Sequence, residues 1–189
     1  MRPGTRFFQL TLVFAALTAG LSLRANADAV SEDTAVADGW KFQAQDSTEL
    51  VKHQHQIGSL NETAAKPLFT TVPVLLIPAP GLLKRSQTAQ LARLAKEVAA
   101  IVNPPSGQHD HTSKKITDGQ PRVEAQYGKN GKGLTWAYSS LHGENILVMM
   151  TQSRDLKPPA AAREEFFKMA RTFKPAASLI APVGAAPAN

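Results

Sequence analysis

The 189-residue sequence contains no cysteine. That excludes a disulfide framework, thiol nucleophiles, thiolate metal ligands and a lipid-anchored cysteine, so the folded chain draws its stability from packing. No acidic residue precedes Asp28, and the long apolar run lies ahead of it, at Phe7–Leu23. The glycines at 128, 131 and 133 sit in a turn-like stretch with no P-loop spacing, so no phosphate-cradling loop is present. Nor is there a glycine elbow around a serine. Nucleic-acid binding would need a clustered basic face, and none stands out.

What is present begins with a leader. Arg2 and Arg6 precede the apolar run, and Ala25-Asn26-Ala27 has the small-x-small form of a signal-peptidase site. Residues 1–27 therefore read as a signal peptide cleaved after Ala27, with Ala27-Asp28-Ala29 as a second site. The competing reading is an uncleaved anchor, since an apolar run of roughly 17 residues is at the short limit for a membrane span. Three of the 21 basic residues fall in this segment and none of the 15 acidic ones, leaving 18 against 15, a net charge of +3. The expected location is periplasmic or secreted. Residues 28–38 read as a flexible leader, 39–175 as a single domain and 176–189 as a disordered tail.

The domain divides by hydrophobic period. Gly39–Ala44 alternates apolar and polar residues as a strand does, and Glu49–Leu60 alternates weakly and reads as a second strand. Thr70–Pro80 is β-branched and apolar, yet Pro73 and Pro78 lack an amide donor and point to an edge or irregular strand. Ser86 caps a helix whose stripe is Leu91, Leu94, Val98, Ile101 and Val102, ended by Asn103-Pro104-Pro105. Residues 104–121 read as a loop.

Arg122–Pro175 follows as the organising stretch. Val123, Ala125 and Tyr127 alternate with Arg122, Glu124 and Gln126, predicting one buried and one wet face. Glycine-rich residues 128–133 turn the chain, Leu134–Ser139 alternates again, and His142-Gly143-Glu144-Asn145 makes a second turn. Ile146–Thr151, apolar on both faces, belongs in mid-sheet. A closing helix starts near Pro158-Pro159, shows Phe166, Met169, Ala170 and Phe173 as one stripe and stops at Pro175, its phenylalanines expected on the sheet. Segregated strands and helices predict an α+β fold, an antiparallel sheet with helices packed on it.

The Gly39-Trp40 opening, the mid-chain helix, the hairpins from Val123 to Thr151 and the Phe166–Ser178 segment with Ala170-Arg171-Thr172-Phe173-Lys174-Pro175 resemble the PsbP-like sandwich, and among bacterial envelope proteins the DcrB type. The resemblance implies a non-catalytic envelope domain that binds or stabilises partners, and it brings no catalytic residues.

Searching for chemistry directly singles out the histidines. Residues i and i+2 of a strand share a face, roughly 7 Å apart, so His53 and His55 could present two imidazoles to one ion. His109, Asp110 and His111, on a loop, could complete a zinc, copper or nickel site. The competing reading is that these are solvated polar residues. Ser139-Ser140 near His142 is the local candidate for a nucleophile beside a base, without an acid partner. Asn61-Glu62-Thr63 has the form of a glycosylation acceptor but reads as a turn. Trp40, Trp136 and Tyr138 read as core rather than a ligand groove, and so do Met149 and Met150. The sequence thus predicts a non-catalytic exported protein that binds an envelope protein partner, monomeric or weakly oligomeric, without nucleic acid or stable membrane insertion after cleavage. The alternative is a periplasmic metal-binding protein.

Overall fold

The computed structural model describes residues 34–51, 54–102, 110–116, 119–129, 132–154 and 158–180. Within them seven strands form one antiparallel sheet: β1 (Trp40–Val51), β2 (Gln54–Glu62), β3 (Val72–Pro78), β4 (Asp110–Ile116), β5 (Arg122–Lys129), β6 (Lys132–His142) and β7 (Asn145–Gln152). Their spatial order is β1-β2-β3-β7-β6-β5-β4. A 3-10 turn, Leu82–Lys84, leads into helix α1 (Gln87–Val102); helix α2 (Ala162–Thr172) follows the strands, and a short helix α3 (Ala177–Ile180) comes last. The α+β class expected from the sequence is observed, and β7 occupies the centre of the sheet as its two apolar faces required.

Strand alternation splits the core in two. Val74, Leu76, Leu147, Met149, Trp136 and Tyr138 face α2, where Phe166, Phe167, Met169, Ala170 and Phe173 cover them. Leu75, Ile77, Ile146, Val148, Val123 and Tyr127 face α1, covered by Leu91, Leu94 and Val98. The predicted stripe of each helix is therefore the stripe that is buried. Met149 and Met150 point to opposite sides of β7, one in each layer. Trp40 is partly buried and stacks on Phe69 with ring centroids 5.6 Å apart.

Several boundaries differ from the sequence reading. Glu49–Leu60 is not one strand: Val51 pairs with Gln54, so the stretch contributes the end of β1 and most of β2. β3 is interior rather than an edge. Its ladder to β2 runs from Val72 to Leu76 and its ladder to β7 from Val74 to Pro78, so each proline has a regular partner on one side alone. A missing amide is tolerated at such ends. Part of the expected loop 104–121 is strand β4, paired with β5 residue for residue from Asp110↔Gly128 to Ile116↔Arg122. Backbone pairing forms this edge strand without an apolar period to announce it.

The ends of the domain are also more ordered than expected. Ala35 exchanges two backbone hydrogen bonds of 3.0 Å with Lys174, and Thr34 Oγ1 accepts from the Ala176 amide. The expected flexible leader is thus packed from residue 34 onward. Pro175 and Ala176 are buried, Ala177–Ile180 is helical, and Asn145 donates to the Ile180 carbonyl, so the expected disordered tail is structured as far as residue 180. Helix α2 begins at Ala162, after a turn in which the Ala162 amide donates to Pro159. Asn61 and Glu62 close β2 instead of forming a turn. The signal segment 1–27 and its cleavage site, together with residues 28–33 and 181–189, lie outside the described residues. Among the described residues no helix is long and apolar enough to cross a membrane.

Candidate functional site

Antiparallel register puts Tyr138 opposite Glu124 and Ser140 opposite Arg122, so these side chains rise from β5 and β6 on the face covered by α2. Glu124 is only 4% exposed. The wet face predicted for β5 is therefore largely covered. A carboxylate in such a place needs charged partners. Arg171 of α2 supplies one at 2.9 Å and Arg122 another at 3.4 Å, and Arg171 also pairs with Glu164 on the first turn of its own helix. Burial works against the Arg171 charge, but its hydrogen bonds to Glu164 and Glu124 outweigh that and hold its pKa above the usual arginine value. Trp136 donates to Gln126 at 3.0 Å one pair further along.

The serine and histidine candidates separate across the sheet. Ser139 faces α1 and donates to the Leu94 carbonyl at 3.3 Å. Ser140, on the opposite side, lies 3.1 Å from His142 Nε2. Burial lowers the His142 pKa and raises that of the Tyr138 phenol. A nucleophile needs a route for substrate, and Ser140 is 2% exposed. Among the described residues His142 has no carboxylate partner to orient it, and Glu124 is committed to two arginines. Ser140 and His142 are a packed polar pair on β6.

The metal candidates do not converge. His55 lies on β2, whereas Asp110 and His111 lie on β4, at the far edge. Five strand spacings separate those strands in the sheet order, roughly 24 Å. His53 and His109 lie outside the described residues. Among the described residues no three of His, Asp or Glu gather as a metal site would require.

A concave feature among the described residues lies elsewhere. A cleft of about 370 Å³ opens where β3 ends and α1 begins, lined by Pro78, Ala79, Pro80, Leu82, Arg85, Ala89 and Arg93. Its wall is held from within. Buried Gln90 directs its side-chain amide at three carbonyls, those of Leu82, Leu83 and Arg85, at 3.3, 3.1 and 3.0 Å. Gly81, at φ +74°, makes the bend that a residue with a Cβ would resist. Ser86 accepts from the Ala89 amide at 3.4 Å, the cap predicted for α1. Beside the cleft stands Leu83, 51% exposed, the one large hydrophobic so exposed among the described residues. The sequence reading missed this site. The available signal was a pair of prolines, Pro78 and Pro80, bracketing a strand end just before a basic pair, Lys84-Arg85.

No family model matches the chain, and no curated protein matches it. Among solved structures it is similar to the solution structure of cyanobacterial PsbP (CyanoP) from Synechocystis sp. PCC 6803, with a TM-score of 0.46 and 10% identity, covering 76% of this chain and 87% of that one. A likeness of that size supports no inference about activity or partners, which rest on this chain's own residues.

Proposed function

We propose that the chain is an exported, non-catalytic domain of the cell envelope that binds a protein partner, and that the cleft beside Leu83 is where it does so. The observation that carries this reading is the contrast in how the polar groups are used. Inside the fold Glu124, Arg171, Ser139 and Gln90 satisfy one another or nearby carbonyls. At the cleft, a wall pinned by Gln90 presents two arginines over an apolar floor, and exposed Leu83 is the chain neighbour of the lining residue Leu82. An apolar floor with a few polar groups at its edge is the usual form of a binding cleft. Export is supported by the leader pattern at residues 1–27, and kinship with PsbP-like and DcrB-like proteins by the order of strands and helices. The separation of His55 from β4 leaves the metal reading without an assembled site.

A photo-crosslinking side chain at position 83, compared with one at exposed Lys41 on β1, tests the proposal in intact cells. A discrete protein adduct from position 83 and none from 41 is the expected result; equal background at both positions would remove the binding reading. Protein recovered from the envelope fraction should begin at Asp28, and retention in the cytosol would remove the export part.

A further inference from the structure

The cleft has a chemistry as well as a shape. Arg85 and Arg93 stand at its rim eight residues apart with Ala89 between them. The Arg85 guanidinium has no ion-pair or hydrogen-bond partner among the described residues. Arg93, 42% exposed, directs one nitrogen to Glu97 at 2.7 Å. The rest of its planar donor fork remains for a ligand. Lys84 lies beside them, and the first turn of α1 contains no acidic residue to offset the positive end of the helix. Two carboxylates lie nearby and neither covers the arginine rim. Glu97 is buried against Arg93, and Glu144 accepts from the Gly81 amide at 3.4 Å. The floor, by contrast, is apolar: Pro78, Ala79, Pro80 and Leu82, with exposed Leu83 following Leu82 in the chain.

Cationic rim and apolar floor together ask for an occupant carrying both negative charge and apolar side chains. A small inorganic anion would satisfy the guanidinium groups and leave the prolines and Leu83 in water. A membrane surface would need a broad apolar and basic face, whereas Leu83 is a lone exposed large hydrophobic among the described residues. From this we infer that the cleft takes an extended acidic segment of the protein partner, with a carboxylate between Arg85 and Arg93 and a neighbouring apolar side chain against Pro78, Pro80 and Leu83. The wall pinned by Gln90 keeps the binding surface in place before the partner arrives, which limits the ordering entropy of association. The inference rests on the binding reading above and adds the chemistry of what is bound.

The test uses the mature protein and three labelled short peptides: one alternating Glu and Leu, and its Gln-for-Glu and Lys-for-Glu counterparts. Vesicles containing phosphatidylglycerol serve as a fourth probe. Fluorescence anisotropy should show binding of the acidic peptide that weakens with added salt and exceeds that of either counterpart. Arg85→Ala should weaken it about two- to fivefold, the scale of an exposed ion pair, and Arg85→Glu should weaken it further. Both substitutions are on the surface, and circular dichroism checks that they fold. Leu83→Ser should also weaken binding, since charge alone does not define the occupant. Equal binding of the three peptides, binding to the vesicles alone, or no binding up to about millimolar peptide would each overturn the inference. A position-83 adduct that persists in Arg85→Glu would overturn it while leaving the binding reading intact.

Discussion

Glu124 is held in an apolar layer by Arg171, so the pair is sensitive to loss of either partner. Arg171→Met leaves the carboxylate with Arg122 at 3.4 Å. Because Arg171 is itself 29% exposed, the expected cost is about 1–3 kcal/mol, below that of breaking a fully desolvated pair. Urea unfolding at neutral pH measures it. The double substitution Glu124→Leu with Arg171→Met should cost less than the two single ones added together, since it removes the stranded charge along with its partner. Additive costs would mean that the pair is not coupled. His142 gives a second prediction at this scale. Burial lowers its pKa from the ordinary 6.5, so the unfolded chain binds a proton more readily than the folded one. Stability must then fall as pH drops below about 6.5 and level off once the folded-state pKa is passed. His142→Gln, which retains a hydrogen-bonding group for Ser140 but does not titrate, should flatten the part of the pH dependence that wild type shows in this window; identical profiles would show that His142 is not its source.

At the scale of the element, β2 and α2 show what a pattern can and cannot announce. The stripe Phe166, Met169, Ala170 and Phe173 was legible in the sequence because helical period and burial coincide. Phe166 stacks on Trp136 at 6.5 Å and meets Phe167 at 5.2 Å, so Phe166→Ala should cost about 3–5 kcal/mol in thermal or urea unfolding. A loss below 1 kcal/mol, about the scale of a surface change, would mean that α2 does not cover the sheet there. Gly58 was not legible as special. A Cβ at this position would meet the Gln43 carbonyl at 2.5 Å and the Phe42 ring at 2.5 Å, just where the β2–β3 register shifts. Gly58→Ala should therefore destabilise by about 1–3 kcal/mol through overpacking, despite alanine's smaller backbone entropy. Unchanged or raised stability would refute the close approach of Phe42. The prolines of β3 carry the same lesson. Their missing amides suggested an edge, and their staggered positions relative to two neighbours made an interior strand tolerable.

In the whole molecule, one sheet serves two cores, and neither helix layer can be removed without exposing the other face of the same strands. Unfolding should accordingly be a single cooperative transition. Trp136 reports on the α2 layer, and a cysteine-free background allows a dye on a lone introduced cysteine at exposed Lys96 to report on α1. Coincident urea curves from the two probes and from circular dichroism are expected. Separate midpoints would show that α1 and the strands beneath it open independently. The same architecture explains why His55 and His111 do not meet: strands close in sequence order, such as β3 and β4, lie four steps apart in the sheet because β7, β6 and β5 return between them.

Period, turn chemistry and composition determined the α+β class, the two buried helix stripes, the central place of β7 and the hairpin turn at His142–Asn145, because each depends on residues within a few positions of one another. The leader pattern belongs to the same local kind of information. Only the tertiary structure decided the rest. Strand β4 exists because β5 offers it a ladder, Glu124 is buried because α2 lies across it, and the cleft exists because β3 ends beside the start of α1. Those features are set by long-range neighbours, and a chain read locally contains no period that records which segment will lie against it.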